Sequence, residues 1–292
     1  MKYLFIAQHK KTWPIDSMCR ILGIKRNGYY RFQKYKWGAS SDSLHQERLE
    51  CVKEIAVASG YSYGSRRMKE ALNSCGYAVS RNGARELMKE AGIQVHYRKK
   101  YRTTTNSNHK QPVFENLLNR QFSVNHPNQF YASDITYIWT QEGWLYLAVV
   151  LDLYSRKVVG WSMSSRMKVQ LVCDALMMAI WQRHPATGLI HHSDRGSQYA
   201  SKTFRQLLNS NGFKGSMSRK GDCWDNAVVE SFFGSLKQER VQWKNYQTRH
   251  EAQQDLLNYI TMFYNPYRLH SYLGYKSPNL YEAETIRMHK IA

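Results

Sequence analysis

The sequence has few acidic residues for its size. Its 292 residues include 22 Asp and Glu against 42 Lys and Arg, a formal net charge of +20. So large an excess favours a polyanionic partner, and because 13% of the residues are aromatic, we expect a folded protein rather than a disordered basic tail. An anionic membrane surface is the competing partner. It is disfavoured because no basic helix with a bulky apolar face stands out.

Cysteines and long apolar runs are also scarce. The five cysteines are scattered, with no pair at zinc-ligand spacing, and are predicted to be reduced core thiols of a cytosolic protein: Cys19, Cys51, Cys75, Cys173 and Cys223. The opening MKYLFIAQHKK is too short an apolar run for a signal peptide. Asp152 interrupts the best candidate for a transmembrane segment, so no membrane partner is expected.

Three acidic residues stand out from the rest. Asp134 lies in a run of aromatic and β-branched residues typical of a buried strand, where an unpaired carboxylate is costly. Asp194 ends a second strand-like run. Glu230 lies in a helical pattern, and Lys237, two turns later, shares its face. Strand and helix carboxylates can converge on one site.

Three converging carboxylates repel one another unless a divalent cation lies among them. Two Mg²⁺ ions, roughly 3.5–4 Å apart, would activate an attacking oxygen and stabilise a leaving one in phosphodiester chemistry. The alternative is that each acidic residue forms a structural ion pair. Asp152 and Asp225 are rivals: Asp152 either holds Ser155 or Arg156 at a strand end or binds metal directly, and Asp225 suits the first turn of a helix.

The amino-terminal half has helical patterns. Asp16 can cap a short helix to Leu22, and after Gly23 a second helix can run to Tyr35. This is either a small DNA-contacting unit or a plain helical hairpin. Residues 38–43 (GASSDS) are predicted to be a linker.

Three apolar stripes at helical spacing follow, separated by Gly60 and Gly76, and predict a three-helix unit. Its third helix, capped by Ser80, carries a basic row away from the apolar stripe: Arg81, Arg85 and Lys89. That row either contacts DNA, on phosphates or in a major groove, or is a solvated face. Residues 96–111 contain no acidic residue and predict a basic connector that would track a DNA backbone or serve only as a linker.

The carboxyl-terminal half alternates between strand and helix patterns. Strands are predicted at 129–139, 144–153, 157–162, 189–192 and 213–217, with helices at 169–181, 201–211, 223–243 and 250–264. The first three strands indicate an antiparallel meander, and the whole order predicts an α/β layer arrangement. His191 and His192 are better suited to packing or positioning than to binding Mg²⁺. Arg268 and His270 are candidates for support near the active site.

Several phrases resemble the integrase catalytic core of insertion-sequence transposases, specifically the second-frame product of the insertion sequence three family. They are SDITYI, LDLYSRKVVGW, HHSDRGSQYAS, DNAVVESFFGSLKQE and FYNPYRLHSYLGYKSP. The resemblance covers most of the chain from about residue 50 to 282. It implies a ribonuclease H-like fold with an amino-terminal helical, helix-turn-helix-like DNA-binding region, in which Asp134, Asp194 and Glu230 are the catalytic, metal-binding carboxylates. It also implies that Lys237 approaches the transposon end.

The resemblance further implies a DDE transposase that cleaves a 3′ end and transfers the strand, using two Mg²⁺ ions or Mn²⁺. The expected partners are transposon-end and target DNA, further copies of the chain on DNA, and an upstream-frame product that supplies a coiled coil. The chain begins with methionine and lacks a sustained heptad repeat, which indicates the second-frame product alone. With no targeting signal, the expected location is the bacterial cytoplasm, with the nucleoid. A nuclease without strand transfer and a DNA-binding regulator with an inactive core are the alternatives.

The predicted organisation has five parts: a helical segment at 1–43, a helix-turn-helix-like DNA-binding domain at 44–95, a basic linker at 96–122, the catalytic core at 123–248, and a helical and aromatic extension at 249–292. Besides Lys237, the basic side chains expected to contact DNA near the catalytic helix are Arg219, Lys220 and Arg240. Exposed charge without a DNA role is the alternative for each of these three.

Overall fold

A computed structural model describes residues 2–36, 39–96, 112–119, 123–219 and 226–291. The chain forms two compact units, one of Met1–Ala58 with Gly64–Gln94 and one of Ser59–Tyr63 with Val95–Ala292. Most of the predicted basic linker lies outside the described residues, as do Lys220, Cys223 and Asp225. The four predicted boundaries between the five domains therefore stay predictions.

The first unit is helical. It contains α1 (Lys2–His9), α2 (Ile15–Ile21), α3 (Arg26–Lys36), α4 (Ala39–Ala58), α5 (Ser65–Ser74) and α6 (Arg81–Glu90). The first three helices bury Ile6, Met18, Cys19 and Tyr29 against one another. Helix α1 was not predicted.

Two predictions in this unit are wrong. Asp16 does not cap α2: the helix follows Pro14 without a side-chain cap, and Asp16 lies in its first turn. Residues 39–43 are not a linker, because α4 already begins at Ala39. Ser and Asp suit a first helical turn, where backbone N–H groups lack partners, and Ser43 Oγ donates to Glu47 one turn later at 3.1 Å.

Helices α4, α5 and α6 form the predicted three-helix unit. Gly60 and Gly76 both have positive φ, 57° and 89°, at the two turns. The predicted cap at Ser80 is confirmed, since its Oγ accepts from Gly83 N at 3.0 Å. The basic row Arg81, Arg85 and Lys89 is exposed, as the stripe pattern requires.

One cysteine departs from its prediction. Cys75, which follows α5, is exposed, whereas Cys19, Cys51 and Cys173 are buried. Burial, and then the neighbouring Cys75, raise the pKa of Cys51 to about 12. Within the described ranges, no helix has both the length and the apolar content that crossing a membrane requires.

The second unit is built on a five-stranded sheet. Its strands are β1 (Phe130–Thr140), β2 (Gly143–Asp152), β3 (Val158–Ser164), β4 (Ile190–Ser193) and β5 (Lys214–Met217), in the spatial order β3-β2-β1-β4-β5. The first three are antiparallel, as predicted, whereas β4 lies parallel to both β1 and β5. The helices are α7 (Val169–Arg183), α8 (Ser197–Ala200), α9 (Lys202–Ser210), α10 (Ala227–Glu239), α11 (Arg249–Asn258) and α12 (Pro278–Ile291).

Both faces of the sheet are covered, which explains the continuous apolar run in β2. Leu147, Val149 and the other β2 residues whose side chains point to the same face belong to a core formed with α10 and α11. Ala148 and Val150 belong to a second core formed with α7, α8 and α9. On β3, Gly160 lies against α7 so closely that an added Cβ would be 2.2 Å from the carbonyl oxygen of Ala175.

Asp152 ends β2 as predicted, and its carbonyl oxygen accepts from Arg156 N at 2.8 Å, while its side chain also links to the carboxyl-terminal helix. Its Oδ2 accepts from Asn128 N at 2.8 Å and lies 3.5 Å from the Arg183 guanidinium, which also pairs with Glu282 of α12 at 2.9 Å. Ser155 Oγ donates to the same Glu282 at 2.7 Å. Burial raises the pKa of Asp152 to about 6.

Candidate active site

Asp134 and Asp194 follow paired residues on two neighbouring parallel strands. Ser133 of β1 lies opposite Ser193 of β4, and each aspartate is the next residue along its strand direction. Neighbouring strands lie about 4.8 Å apart. The two carboxylates therefore arise at the same edge of the sheet, although sixty residues separate them in sequence.

A backbone N–H group holds each of these carboxylates. Asp134 Oδ1 accepts from Ile135 N at 2.7 Å, and Asp194 Oδ1 accepts from Gly196 N at 2.9 Å. A Cβ at position 196 would lie 3.0 Å from Asp194 Oδ1, so this close approach favours glycine. Arg195 Nε donates to Ser218 O at 2.7 Å and fixes the same turn.

The third carboxylate is on α10. Glu230 lies in the first turn of this helix and is exposed, whereas Val229 and Phe233 are buried in the core beneath it. The helix is shorter than predicted, because after Glu239 the chain forms a 3₁₀ turn, Val241–Trp243. Residues 223–225 of the predicted helix lie outside the described part of the chain.

The pKa of Asp134 responds to the charges of the other two carboxylates. The pKa of Asp134 is well above its usual value, first because of burial, then because of the Asp194 carboxylate, with a smaller contribution from Glu230. The Ile135 N–H and the Lys237 ammonium act in the opposite direction. Although Glu230 as a whole residue is exposed, its carboxyl group is partly shielded from water, which raises its pKa. Negative charge is therefore costly here, and a cation would stabilise the ionised carboxylates.

Lys237 is the basic component of this site. Its ammonium lies 4.9 Å from the centre of the Tyr137 ring on β1, a cation–π contact. Burial lowers the pKa of Lys237 to about 8, with Asp134 acting in the opposite direction. Its charge is therefore sensitive to pH near neutrality.

Two site residues were not assigned a role from the sequence. Asn226, the N-cap of α10, donates from Nδ2 to Ser133 O at 3.2 Å, and its buried Oδ1 has no hydrogen-bond partner among the described residues. The buried Tyr199 hydroxyl likewise has no partner within the described ranges, and burial, Asp134 and Asp194 raise its pKa well above normal. Both residues lie within the phrases that carried the resemblance, but a phrase does not show which atoms face the site.

The two histidines pack inside the sheet, consistent with the packing interpretation. His191 Nε2 lies 2.7 Å from Ser133 Oγ, and His192 Nδ1 lies 2.9 Å from Ser216 Oγ. Burial lowers the pKa of His191 to about 3, so its ring is neutral.

The predicted DNA-contacting residues near α10 have partners within the protein. Arg240 pairs with Asp255 at 2.8 Å, and Arg219 donates to Asn119 Oδ1. Arg268 pairs with Glu239 at 2.7 Å and so supports the end of α10. Lys220 lies outside the described residues.

The donor chemistry suits a hard divalent cation, since carboxylate oxygens are the ligands that Mg²⁺ prefers. Asn226, which donates to the carbonyl oxygen of Ser133 next to Asp134, has in its buried Oδ1 a further oxygen acceptor. In the described residues, however, no three His, Cys, Asp or Glu side chains are close enough together to hold one ion. Asp134 and Asp194 are each held by a backbone N–H group, whereas Glu230 is exposed.

Comparisons with known proteins cover nearly the whole chain. The Integrase core domain family matches residues 124–223 and, through a second family of the same description, residues 230–286; the HTH-like domain family matches residues 43–101. The transposase InsF of insertion sequence IS3A from Escherichia coli K12 is 40% identical over 287 residues, covering 98% of this chain and 100% of the relative. The chain belongs to the IS3-family transposases.

A second relative supports the same family. The insertion element IS600 31 kDa protein of Shigella sonnei is 42% identical to this transposase over 261 residues, which are 89% of this chain and 96% of the relative. The predicted family is thus confirmed, and so is the fold, an integrase core of the ribonuclease H-like class with an HTH-like domain before it.

Solved structures also resemble the transposase. A chain of the simian T-cell lymphotropic virus intasome in complex with PP2A regulatory subunit B56 gamma matches with a TM-score of 0.47 and 17% identity, covering 73% of this chain and 70% of that one. The HTLV-2 integrase catalytic core domain in complex with magnesium matches with a TM-score of 0.41 and 18% identity, covering 53% and 97%.

Proposed function

We propose that this transposase cleaves a phosphodiester at the 3′ end of an insertion sequence and then directs the freed 3′-hydroxyl to attack another strand. The juxtaposition of Asp134 and Asp194 at the ends of paired parallel strands, within electrostatic reach of Glu230, carries the proposal. Water and then a DNA hydroxyl serve as nucleophiles, so no covalent protein intermediate is needed.

Asp134, Asp194 and Glu230 are the proposed catalytic residues and the ligands of two Mg²⁺ ions, with Mn²⁺ as a substitute. When bound, such ions would activate the attacking oxygen and stabilise the leaving one. Backbone N–H groups of Ile135 and Gly196 orient the two aspartates. Glu230, exposed in the first turn of α10, is the proposed third ligand and would have to move toward the two aspartates when metal and DNA bind.

Lys237 is proposed to contact a phosphate of the transposon end, because its ammonium lies in the field of Asp134 on the same side of α10 as Glu230. The exposed row of Arg81, Arg85 and Lys89 is proposed to bind DNA through the HTH-like domain. Arg219, Lys220 and Arg240 are proposed as additional phosphate contacts.

The wider assignments are proposals as well. We propose five functional segments, bounded at residues 43, 95, 122 and 248, that act together on transposon-end and target DNA. Several copies would assemble on DNA, with or fused to an upstream-frame product. The expected place of action is the nucleoid in the bacterial cytoplasm.

A labelled transposon-end oligonucleotide tests the reaction. With Mg²⁺, we expect a shortened labelled strand and then a longer joined product, because hydrolysis and transesterification use the same site. Denaturing electrophoresis separates both products by length. A duplex that already ends at the cleavage position and carries a 3′-deoxy nucleotide at that end controls for the nucleophile, since it should be unable to join.

The same experiment separates the two alternatives. A ribonuclease H-like nuclease would give the shortened strand without any joined product. A DNA-binding regulator would give neither and would bind the end equally well with EDTA. Either result would contradict strand transfer by this chain.

The affinity for transposon-end DNA should fall as the pH rises from 7 to 9. Lys237 has its pKa lowered to about 8, so its ammonium is present below that pH and is lost above it. Replacing Lys237 by Arg, which stays charged, should flatten the profile, whereas wild-type affinity should drop by about fivefold, or about 1 kcal/mol. Fluorescence anisotropy at constant ionic strength measures both profiles. A wild-type profile as flat as that of Lys237→Arg would contradict this.

A further inference from the structure

An exposed aromatic ladder lies on the hairpin between β1 and β2. Trp139 and Trp144 face each other across the two strands, with 53% and 42% of their surfaces exposed, and their rings meet edge to face at 4.8 Å. Tyr137, two residues along β1, packs edge-on against Trp144 at 5.0 Å. Large aromatic rings rarely stand together in solvent without a binding role.

Lys237 links the ladder to the candidate active site around the edge of β1. Side chains alternate between the two faces of a strand, so Asp134 lies on the face covered by α10, whereas Tyr137 and Trp139 lie on the opposite face. The Lys237 ammonium lies over the ring of Tyr137, and the same ammonium is within the field of Asp134. Five residues separate Asp134 from Trp139 on β1, which is about 17 Å along an extended strand. A DNA strand that passes Lys237 would therefore have to cross the edge of β1 to reach the tryptophans, a path of a few nucleotides.

The edge of β1 is open along this path. Strand β4 pairs with β1 only as far as Ser133. In the part of the chain that the structure describes, residues 134–140 of β1 are therefore paired on one side alone, with β2. Unpaired strand edges present backbone donors and acceptors to a ligand.

Hydrogen bonds within the hairpin and to the segment around α11 fix its conformation. Thr140 Oγ1 donates to Gly143 O at 2.7 Å, and Gln141 N donates to Tyr246 O at 3.0 Å. Arg249 of α11 donates from Nε to Trp144 O at 3.1 Å, while its own N–H donates to Glu142 Oε2 at 2.9 Å. The rings are thus presented on a fixed support, which lowers the entropy lost when a ligand stacks on them.

We propose that Tyr137, Trp139 and Trp144 form a stacking surface for unpaired bases of the DNA strand next to the cleavage site. Stacking on aromatic side chains tolerates any base, and the +20 net charge of the chain with Lys237 beside the ladder suits a polyanion. A second copy of this chain is the competing occupant. This inference rests on the proposed function for its biological purpose, but the stacking itself does not require catalysis.

The test compares the affinity of the full chain for single-stranded DNA with its affinity for duplex DNA of the same length and composition. Trp139→Ala should weaken binding of a fluorescein-labelled 20-nucleotide dT oligomer about tenfold, in the range expected for losing one stacked base, and leave duplex binding within about twofold. Trp139→Phe should restore most of the affinity, and Trp139→Leu, which keeps the apolar surface, should not. Trp181→Ala is the matched control, since Trp181 lies on α7 and is 70% exposed.

Each outcome decides the proposal. Equal losses for Trp139→Ala and Trp181→Ala, or rescue by leucine as good as by phenylalanine, would overturn base stacking. If Trp139→Ala instead changes the mass in solution by light scattering without changing binding of the dT oligomer, the ladder is a contact between copies and the proposal is wrong. The binding measurements are repeated on Asp194→Asn, which should keep the tryptophan effect. If the wild-type chain fails to transfer strands while the tryptophan effect persists, only the proposed function is lost.

Discussion

Asp194→Asn should reduce 3′-end cleavage and strand joining by about 10³-fold or more while leaving binding of end DNA within about threefold. The substitution keeps the shape of the side chain and removes the negative charge that a bound cation needs. A loss of 10³-fold corresponds to about 4 kcal/mol of transition-state stabilisation, which is the scale of removing one preorganised charged partner from a reacting centre. Single-turnover cleavage of a labelled end and anisotropy on the same duplex measure the two quantities.

The same substitution should raise the stability of the metal-free protein. Burial and the Asp194 carboxylate together hold the pKa of Asp134 well above its usual value, so removing one of two repelling charges stabilises the fold, by about 1 kcal/mol. Mg²⁺ should then raise the midpoint of thermal unfolding of the wild-type chain but not of Asp194→Asn, because a ligand that binds only the folded state stabilises it. Activity and stability would change in opposite directions.

Asp174→Asn is the matched control for both measurements. Asp174 is exposed on α7, where its carboxylate accepts from Gln170 Nε2 at 2.6 Å within the same helix. Its removal should leave cleavage and the Mg²⁺ response unchanged. If Asp194→Asn keeps full strand transfer, or if Mg²⁺ stabilises it as much as the wild type, the carboxylate assignment fails.

The order of elements in the second unit could be predicted from local patterns. β2 is buried on both faces, so its apolar run is unbroken, and β1 carries the aromatic and β-branched residues that strands favour. The crossover that places β4 beside β1 could not be predicted in this way. Parallel pairing depends on contacts between residues distant in sequence, such as Ser133 and Ser193.

The candidate site could likewise be predicted only in part from the sequence. Asp134, Asp194 and Glu230 were identified because acidic residues in apolar segments are unusual and because the phrases around them resemble those of a known family. Asn226 and Tyr199 were not assigned, since an asparagine or a tyrosine costs little anywhere on a surface and becomes informative only once its polar atom is seen buried without a partner. Likewise, a serine-rich stretch indicated a linker where α4 begins, because local composition does not report the packing that stabilises a first turn.

Arg268→Met should destabilise the second unit by about 3–5 kcal/mol, because it leaves the Glu239 carboxylate buried without its cation. Arg268 Nε and Nη2 donate to the two oxygens of Glu239 at 2.8 and 2.7 Å, and Nη2 also donates to Ser235 Oγ at 2.8 Å. Both charged side chains are about 5% exposed or less. Urea unfolding followed by tryptophan fluorescence measures the loss.

The pair also fixes the end of the helix that carries Glu230 and Lys237. Removing the buried charge as well, in Arg268→Met with Glu239→Gln, should recover much of the lost stability, since an amide is less costly to bury than an unpaired carboxylate. Tyr259, whose hydroxyl donates to Glu239 Oε2 at 2.7 Å, remains as a donor to the glutamine. Cleavage should recover less than stability does, because the two-pronged contact that orients α10 stays absent.

Arg240→Met is the control from the same end of α10. Arg240 is 35% exposed, and its partner Asp255 keeps two other donors, Lys244 at 2.5 Å and Tyr246 at 2.8 Å. The expected cost is therefore about 1 kcal/mol or less. If Arg268→Met costs no more than Arg240→Met, the ion pair of Arg268 with Glu239 does not hold α10 in place. The positions of Glu230 and Lys237 must then depend on other contacts, such as the apolar packing of Val229 and Phe233.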